Sequence, residues 1–532
     1  MSLEKPYQAG LLSSYEGEES YVAHNRQERQ LEALTAESSA GSVARPWVAG
    51  NDGDIQRDPV TGMAYIYTTG EGWSLLESQT RKAFVLYVDH TLGNDINAGD
   101  LTNPLQTIQE AFDRLPAYLL HSVTIDVATG NYPEPLFLHD KHARGTFTKL
   151  EILGKLALAT LATGPNQNIT AASGSDYTIV YNAGPAWTTD DLTGKFVICT
   201  AGTHAGRTAP ISYNTTNTIY TDYTIGSPWD ATDVFDIYES TVYLDGGSGF
   251  FEPTLRISSV DAAGTTLFTS EQFVQFKHLH LRGDPFLGMT IWIDPAPVSL
   301  NFLECYVQNS VIALPSIGRL NFECSCVDTL HGGGFLNNIQ PNNVLDWQFV
   351  NCSVISTFRG QPTGKTILEL VNTYWRSNST LDGALFLRGS TDCYIVNTLI
   401  DGRSQTRRTV VIDEDFQGII SFRDSKILDS FDSGIGSRRI WNGVLRLEDS
   451  DISNSVNAGI NAVGPIALDL TNYTSSVANG TFGVVLRSGA QLQSFGGNTA
   501  TGGTNDLDLG IGSQIAWGAL PHTNTTELTR GV

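Results

Sequence analysis

The sequence has little positive charge. Of its 532 residues, 32 are Lys or Arg and 56 are Asp or Glu, which gives a formal net charge of -24 at pH 7. Contacts to nucleic-acid phosphates require clustered Lys and Arg, so this balance argues against a general nucleic-acid-binding surface. We therefore expect no nucleic-acid partner.

Cysteine and long apolar runs are also scarce. Six Cys in 532 residues are too few for a disulfide scaffold, and we expect them to be reduced, small core residues. No segment approaches the roughly 18 apolar residues of a membrane helix. The first residues, M-S-L-E-K-P-Y-Q-A-G-L-L, lack a basic leader followed by an apolar run. These absences predict a chain that is made in a cytoplasm and does not insert into a membrane.

Glycine and a short repeat are plentiful. The chain has 52 Gly and only 17% charged residues, a balance typical of turn-rich β proteins. From about residue 270, apolar and other residues alternate around an apolar anchor nine times, at spacings of 20 to 27 residues. The nine anchors are Phe276, Phe302, Phe322, Phe349, Leu370, Ile395, Phe422, Leu447 and Leu470.

Alternation of period two predicts a strand with one buried face. A repeat near 24 residues with variable loops means that each strand returns to the same place one turn later. The repeat therefore predicts an all-β chain folded as a right-handed parallel β-helix, a solenoid.

The repeat also predicts a corner. Two residues after each anchor stands a corner residue, and six consecutive ones are Asn or Asp, whose side chains satisfy backbone groups where a strand bends. These six are Asn351, Asn372, Asn397, Asp424, Asp449 and Asn472. The three preceding corner residues are His278, Glu304 and Cys324. Glu304 has no evident partner, and His278 with His280 lacks a third ligand, so we predict no metal site.

An earlier segment carries a family resemblance. Phe84 to Pro116 contains Y-V-D, then G-N-D, then a later Gly, then P-x-x-T-I-x-x-A. The matching residues are Tyr87, Val88, Asp89, Gly93, Asn94, Asp95, Gly99, Pro104, Thr107, Ile108 and Ala111. This segment resembles the opening of pectin-lyase-like β-helices, especially those of bacteriophage tailspikes. A helix from about 105 to 114 is expected to cap the open end of the solenoid with Ile108, Ala111, Phe112 and Leu115.

The rhythm of the sequence divides the chain into five parts. We predict an attachment or oligomerisation region over 1–83, the opening strand and capping helix over 84–157, and an inserted small β domain over 158–243. The main solenoid is expected over 244–500, and a terminal cap or tail over 501–532. The resemblance implies a homotrimer that docks on other virion proteins through its N-terminal region. It also implies synthesis in the host bacterial cytoplasm.

The densest cluster of acids is V-V-I-D-E-D-F, with Asp413, Glu414 and Asp415. Tailspike β-helices commonly cleave surface polysaccharide with paired carboxylates, and repulsion among these three would raise the pKa of one enough to make it an acid. The alternative is a solvated or arginine-paired loop.

This acidic cluster lies within a longer zone of locally positive net charge. From Arg359 to Arg446 the sequence has twelve Arg and Lys and only ten Asp and Glu, although the whole chain is strongly acidic. Arginine makes bidentate contacts to anionic groups, so the zone is a candidate glycan-binding surface. Its candidate residues are Arg403, Arg407, Arg408, Arg438, Arg439 and Trp441, the last as a sugar-stacking ring. The alternative is that these Arg pair with neighbouring acids or sister subunits.

The leading hypothesis is a virion spike that binds host surface polysaccharide, with or without cleaving it, and needs no cofactor. A second hypothesis is a non-enzymatic structural or adhesive component of a phage particle, such as a neck, baseplate or head appendage. A third is a host polysaccharide lyase or hydrolase. The missing secretion signal and the lack of a clustered Asp calcium site disfavour the third.

Overall fold

The structure is a computed structural model. The structure describes residues 55–57, 64–68, 72–75, 80, 82–116, 118–139, 142–143, 149–182, 187–223, 227–246, 253–258, 272–283, 289–293, 297–308, 310–313, 317–328, 335–337, 344–359, 365–377, 383–403, 408–413, 415–430, 432–437, 442–471, 482–488, 490–495, 505–509 and 514–516. Within these residues, no helix is both long and apolar enough to cross a membrane.

Three parallel sheets, named S1, S2 and S3, form the solenoid, and from Val123 to Val463 the chain visits them in that order on each turn. The described strands of S1 are Phe84–Val88, Val123–Val127, Leu150–Leu153, Gln272–Lys277, Pro297–Leu303, Ile317–Glu323, Val344–Val350, Lys365–Val371, Ser390–Val396, Gln417–Arg423, Asn442–Glu448, Ile466–Thr471, Gln491–Phe495 and Gln514–Ala516. Those of S2 are Gly130–Tyr132, Val242–Leu244, His280–Arg282, Tyr306–Gln308, Cys326–Asp328, Ser353–Ile355, Tyr374–Arg376, Leu399–Asp401, Lys426–Leu428 and Asp451–Ser453. Those of S3 are Leu136–His139, Leu255–Ser258, Met289–Ile293, Ser310–Ala313, Phe335–Asn337, Phe358–Arg359, Leu385–Leu387, Arg408–Ile412, Ser433–Ser437, Ala458–Val463, Phe482–Arg487 and Asn505–Leu509.

The predicted anchor column is confirmed. Strand pairing places Phe276 beside Phe302 and continues in register through all nine anchors to Leu470. The first four rings stack with centroids 5.1, 4.9 and 5.0 Å apart. Like residues therefore fill like positions along one continuous core, and the parallel β-helix that the repeat predicts is confirmed.

The predicted corner lies between S1 and S2. Eight corner residues have φ between 47° and 57°, the left-handed region. They are His278, Glu304, Cys324, Asn351, Asn372, Asn397, Asp424 and Asp449. Each donates its backbone N–H to a carbonyl of the next turn, at 3.0 to 3.2 Å. Asn372 Nδ2 also donates to Asn351 Oδ1 at 3.0 Å, so these two side chains form a ladder across successive turns. The predicted contacts of corner side chains to backbone groups stay a prediction.

The opening segment forms the predicted cap. A helix, Ile108–Asp113, begins after Thr107, whose hydroxyl accepts the N–H of Glu110. Asp95 of the G-N-D turn accepts the N–H of Gln106 and of Thr107, both at 2.9 Å, and so fixes where the helix starts. Its buried face consists of the residues predicted from the sequence, Ile108, Ala111, Phe112 and Leu115, each at most 1% exposed.

A separate set of strands lies between the third S1 strand and the second S2 strand. One sheet contains Leu156–Leu158, Ile169–Thr170, Phe196–Ala201, Thr208–Pro210 and Val234–Ser240. The other contains Ser173–Gly174, Thr178–Val180, Tyr213–Asn214 and Thr218–Tyr220. Trp187 and Trp229 help to fill a core distinct from that of the solenoid. We call residues 156–240 the module; it occupies the segment where the sequence predicts an inserted β domain.

Two short sheets complete the described structure. Ile55–Arg57, Ala64–Thr68 and Gly72–Leu75 form an antiparallel sheet. Tyr118–Leu119 and His142–Ala143 pair in parallel near the capping helix. The predicted limits of the five parts of the chain stay predictions.

Candidate functional site

The outward face of S2 is buried over five consecutive strands. Outward side chains of a solenoid normally meet solvent, yet the first residue of each of these strands is at most 8% exposed. These residues are Tyr306, Cys326, Ser353, Tyr374 and Leu399. The module covers three of them. Gly194 lies so close that a Cβ there would be 2.2 Å from the Tyr306 ring, and Tyr223 packs with Tyr374 and Leu399.

Five tyrosines meet where the module contacts S2, and we call them the tyrosine junction. The module supplies Tyr177, Tyr213, Tyr220 and Tyr223, and the solenoid supplies Tyr374. Tyr177 stacks on Tyr374 with ring centroids 5.9 Å apart, and Tyr213 stacks on Tyr220 at 4.0 Å. Tyr177, Tyr213 and Tyr220 are half-buried, so the junction keeps exposed ring surface at its rim.

Asp401 lies at this junction and is half-buried. Its Oδ2 accepts a hydrogen bond from Tyr374 Oη at 2.9 Å, and its Oδ1 accepts the backbone N–H of Arg403 at 2.7 Å. The buried guanidinium of Arg376 stands 4.0 Å from the centroid of the Tyr213 ring. The site thus contains a carboxyl group, a phenol and a guanidinium group beside the tyrosine rings.

Burial raises the pKa of Asp401 above its ordinary value, and the nearby charge of Asp429 acts in the same direction. The two hydrogen bonds that Asp401 accepts oppose this rise without cancelling it. Burial likewise raises the pKa of Tyr374, which keeps its phenol protonated as a donor. A carboxyl that holds its proton above the usual range is suited to general acid catalysis.

The structure brings Asp413 and Asp415 together around one arginine. Arg388 Nε lies 3.1 Å from Asp413 Oδ2 and 3.6 Å from Asp415 Oδ1. Asp415 Oδ1 also accepts the N–H of Gly389 at 3.5 Å. This is the arginine-paired loop that the sequence leaves open as the alternative. Glu414 lies outside the described residues, and a catalytic role for the three stays a prediction.

The predicted glycan-binding arginines are only partly described. Arg403 is exposed and follows an S2 strand, whereas Arg408 begins an S3 strand with Nη2 3.7 Å from Asp432 Oδ2. Arg407, Arg438, Arg439 and Trp441 lie outside the described residues. Other basic residues of the zone also lie beside acids: Lys365 with Asp392, Arg423 with Asp424, and Arg446 with Asp469.

Glu304 has a partner that the sequence did not reveal. His278 Nε2 lies 2.5 Å from Glu304 Oε2, one turn away on the corner column. This contact lowers the pKa of Glu304. His280 lies between the rings of Tyr243 and Tyr306 on the two neighbouring S2 strands, and burial lowers its pKa to about 3.

In the described part of the chain, one trio has metal-ligand chemistry. Ligand atoms of His204, Asp230 and Asp233 lie within 4.8 Å of one another in the module. Both ring nitrogens of His204 already have side-chain partners at 2.7 and 2.8 Å, so hydrogen bonding accounts for the arrangement.

The sequence did not single out the tyrosine junction. Asp401 entered only as one of ten acids in a charge count. A signal was present: Tyr374 and Leu399 are large apolar residues at outward positions of S2, and such positions indicate a covering partner. To recognise this signal, one must know which S2 residues point outward. Strands of three residues are too short for their sequence alone to show this.

No protein family and no curated protein matches the chain. Among solved structures, a glycoside hydrolase matches at 10% identity and a TM-score of 0.19, over 81% of this chain and 96% of the other. The tailspike gp49 of Pseudomonas phage LKA1 matches at 12% identity and a TM-score of 0.23, over 74% of this chain and 72% of the other. The Gp54 tailspike of Acinetobacter baumannii bacteriophage AP22, solved with a capsular saccharide, matches at 12% and 0.20, over 74% and 70%.

Likeness of this degree carries no functional argument, and the fold rests on strand pairing. The fold and site define a class: a parallel β-helix protein with a β module docked on one sheet.

Proposed function

We propose that this chain is a polysaccharide-binding spike of a phage particle and that the tyrosine junction is its glycan site. The observation that carries the proposal is the meeting of five tyrosines at the seam between module and solenoid, where the buried Tyr374 donates a hydrogen bond to Asp401. Ligand sites favour seams between domains, lined by aromatic rings with a few polar groups that fix orientation. Phenol rings offer flat apolar surface with a polar tip, which suits the faces and hydroxyls of a sugar.

Cleavage is the second part of the proposal. Glycoside hydrolysis requires two carboxyl groups, one of them protonated. Asp401, with its raised pKa, is the proposed acid, and Asp429 is the proposed second carboxylate. The cluster of Asp413, Glu414 and Asp415 is the alternative pair. A protein that binds without cleaving fits the hypothesis of a structural or adhesive particle component.

Binding is tested by calorimetry against capsular polysaccharide and lipopolysaccharide purified from a panel of bacteria. Tyr220→Ala is expected to weaken binding of a polysaccharide that the wild type binds by about tenfold or more, because it removes one stacking ring, a loss of roughly 1.4 kcal/mol. Tyr394→Ala is the matched control, since Tyr394 is 40% exposed on S1 away from the junction. Equal weakening by both variants, or by neither, contradicts the junction as the glycan site.

Cleavage is tested on the same polymers by release of reducing ends. Asp401→Asn is expected to abolish release and to leave binding within about threefold of wild type. Full activity in Asp401→Asn with loss in Asp413→Asn or Asp415→Asn would move the catalytic site to the acidic cluster. Absence of release from every bound polymer would support the purely adhesive function.

The particle role and the trimer belong to the same proposal. Residues 1–83 are proposed to dock on other virion proteins, with three copies assembling around one axis. Sedimentation of a monomer at micromolar concentration would contradict the trimer.

A further inference from the structure

Two loops of the module contact each other. One runs from Gly202 to Arg207, and the other from Ser227 to Asp233. Gly202 has φ +104°, and a Cβ there would lie 2.3 Å from the carbonyl oxygen of Thr232, so the loops are in direct contact. Their contact places a serine, a histidine and an aspartate in one line.

The line runs from Ser227 through His204 to Asp233. His204 Nε2 lies 2.8 Å from Ser227 Oγ, and His204 Nδ1 lies 2.7 Å from Asp233 Oδ2. Both distances are those of good hydrogen bonds. This connectivity, hydroxyl to imidazole to carboxylate, is the one by which serine hydrolases activate a nucleophile.

The hydrogen bonds of Asp233 set the tautomer of the histidine. Asp233 is fully buried; its Oδ1 accepts the N–H of His204 at 3.0 Å, and its Oδ2 accepts the N–H of Asp230 at 2.9 Å. Surrounded by donors, this carboxylate acts as an acceptor, so His204 Nδ1 donates to it. Nε2 of neutral His204 then has a free lone pair, which accepts the proton of Ser227 Oγ.

Neighbouring groups hold the serine and the imidazole in place. Arg207 Nη1 donates to the carbonyl oxygen of Ser227 at 3.4 Å, and Arg207 Nη2 donates to Asp222 Oδ1 at 3.0 Å. The same guanidinium stacks 4.3 Å from the centroid of the Trp229 ring, which lies 5.4 Å from the His204 ring. The arrangement is therefore fixed before any ligand arrives, as catalysis requires.

The surroundings of the serine define what it can receive. Ser227 is half-buried, while Ala205, Gly206 and Pro228 beside it are exposed. An open site of this kind leaves room for a small acyl group carried on a large hydrophilic alcohol. An O-acetylated sugar belongs to this class.

We propose that Ser227, His204 and Asp233 form a hydrolytic site for short acyl esters. Ser227 Oγ forms a bond to the acyl carbon while its proton passes to His204 Nε2. The acyl carbon–oxygen bond then breaks, and His204 gives that proton to the departing alcohol. Water attacks the acyl-serine, its proton passes through His204 back to Ser227 Oγ, and a carboxylic acid leaves.

The test uses the full chain, a fluorophosphonate probe and p-nitrophenyl acetate, so it does not depend on glycan binding. The wild type is expected to take up one phosphonyl group on the peptide that contains Ser227 and to hydrolyse the ester. Ser227→Ala is expected to lose the label and to slow hydrolysis by about 100-fold or more. Ser175→Ala is the matched control, because Ser175 is a half-buried serine of the same module whose hydroxyl bonds Thr178 at 2.7 Å.

A wild type that melts cooperatively, takes up no label and hydrolyses the ester no faster than Ser227→Ala would overturn the proposal. The three residues would then be a hydrogen-bonded clamp between two loops. His204→Gln separates the cases further. A catalytic base predicts that hydrolysis falls to the level of Ser227→Ala, whereas a clamp predicts no change in hydrolysis. A lower melting temperature is expected in either case, because the buried Asp233 carboxylate loses the imidazole donor.

Discussion

At the scale of single residues, the corner residues adopt left-handed backbone, which costs folding free energy. Left-handed backbone costs most residues roughly 1–2 kcal/mol, whereas Asn and Asp adopt it more readily. Later turns use Asn or Asp at the corner, but Cys324 has φ 47° and Glu304 has φ 50°. The His278–Glu304 contact offsets part of the cost for those two residues. Cys324 is the position where a better residue is most easily introduced.

Cys324→Asn is expected to stabilise the solenoid by about 0.5–1 kcal/mol. The new amide would stand next to Asn351 and extend the ladder that Asn351 and Asn372 already form. The urea midpoint of unfolding should therefore rise. Cys324→Val is the control, because a β-branched residue fits the left-handed region poorly, and its midpoint should fall. A lower midpoint for Cys324→Asn would show that corner strain does not limit stability here.

At the scale of elements, the capping helix depends on a carboxyl from the next turn. Glu134 Oε1 accepts the N–H of Ile108, the first residue of the helix, at 2.7 Å. Burial nevertheless raises the pKa of Glu134 from 4.5 to about 7. The folded state therefore holds this proton more tightly than the unfolded chain, and the associated stability is complete below pH 4.5 and lost as pH rises through about 7.

The pH dependence of the melting temperature tests this linkage. Between pH 5 and 8 the wild type is expected to become less stable as pH rises, whereas Glu134→Gln is expected to keep its stability. Glutamine keeps the acceptor oxygen and has no charge to bury. The melting temperatures of the two proteins should diverge as pH rises. Glu151→Gln, on the outward face of S1 beside Lys149, is the control and should not reproduce the divergence. Parallel curves for wild type and Glu134→Gln would contradict the assignment.

Elements differ in how far their sequence predicts them. The S1 strands and the capping helix were predictable because their signal is local: an anchor every turn, and Ile108, Ala111 and Phe112 on one helical face. The tyrosine junction was not, because Tyr177 and Tyr374 are nearly 200 residues apart and their contact depends on how the module docks. The Ser227–His204–Asp233 line was missed for the same reason: three loop residues meet only through the antiparallel pairing of the module strands.

At the scale of the whole molecule, the module is an insertion that interrupts a single turn of the solenoid. The N–H of Thr241 donates to the carbonyl oxygen of Lys155 at 3.0 Å, so the chain leaves the solenoid and returns to it at adjacent points. The stacking of S1 continues across this gap, with Leu150 paired to Val274. The register of the S1 strands is thus independent of the module. The burial of the S2 face beneath the module, in contrast, depends on it.

Replacing residues 156–240 with a short Gly-Ser linker tests that dependence. The solenoid is expected to fold but to expose Tyr306, Tyr374 and Leu399, and such an apolar surface promotes association. Light scattering and dye binding should both increase relative to the full chain. The same deletion with these three residues changed to Ser is the control and should restore solubility. A soluble deletion without those changes would show that the module does not protect this face.

The docking of the module also bears on how the molecule resists unravelling. In a repeat protein each turn touches only its neighbours, so turns can peel away one after another from an end. The module begins just after Lys155, and its contacts with S2 extend from Tyr306 to Tyr374 and Leu399. It therefore bridges five successive turns, and we expect a pulling force along the solenoid axis to break these turns together rather than one at a time.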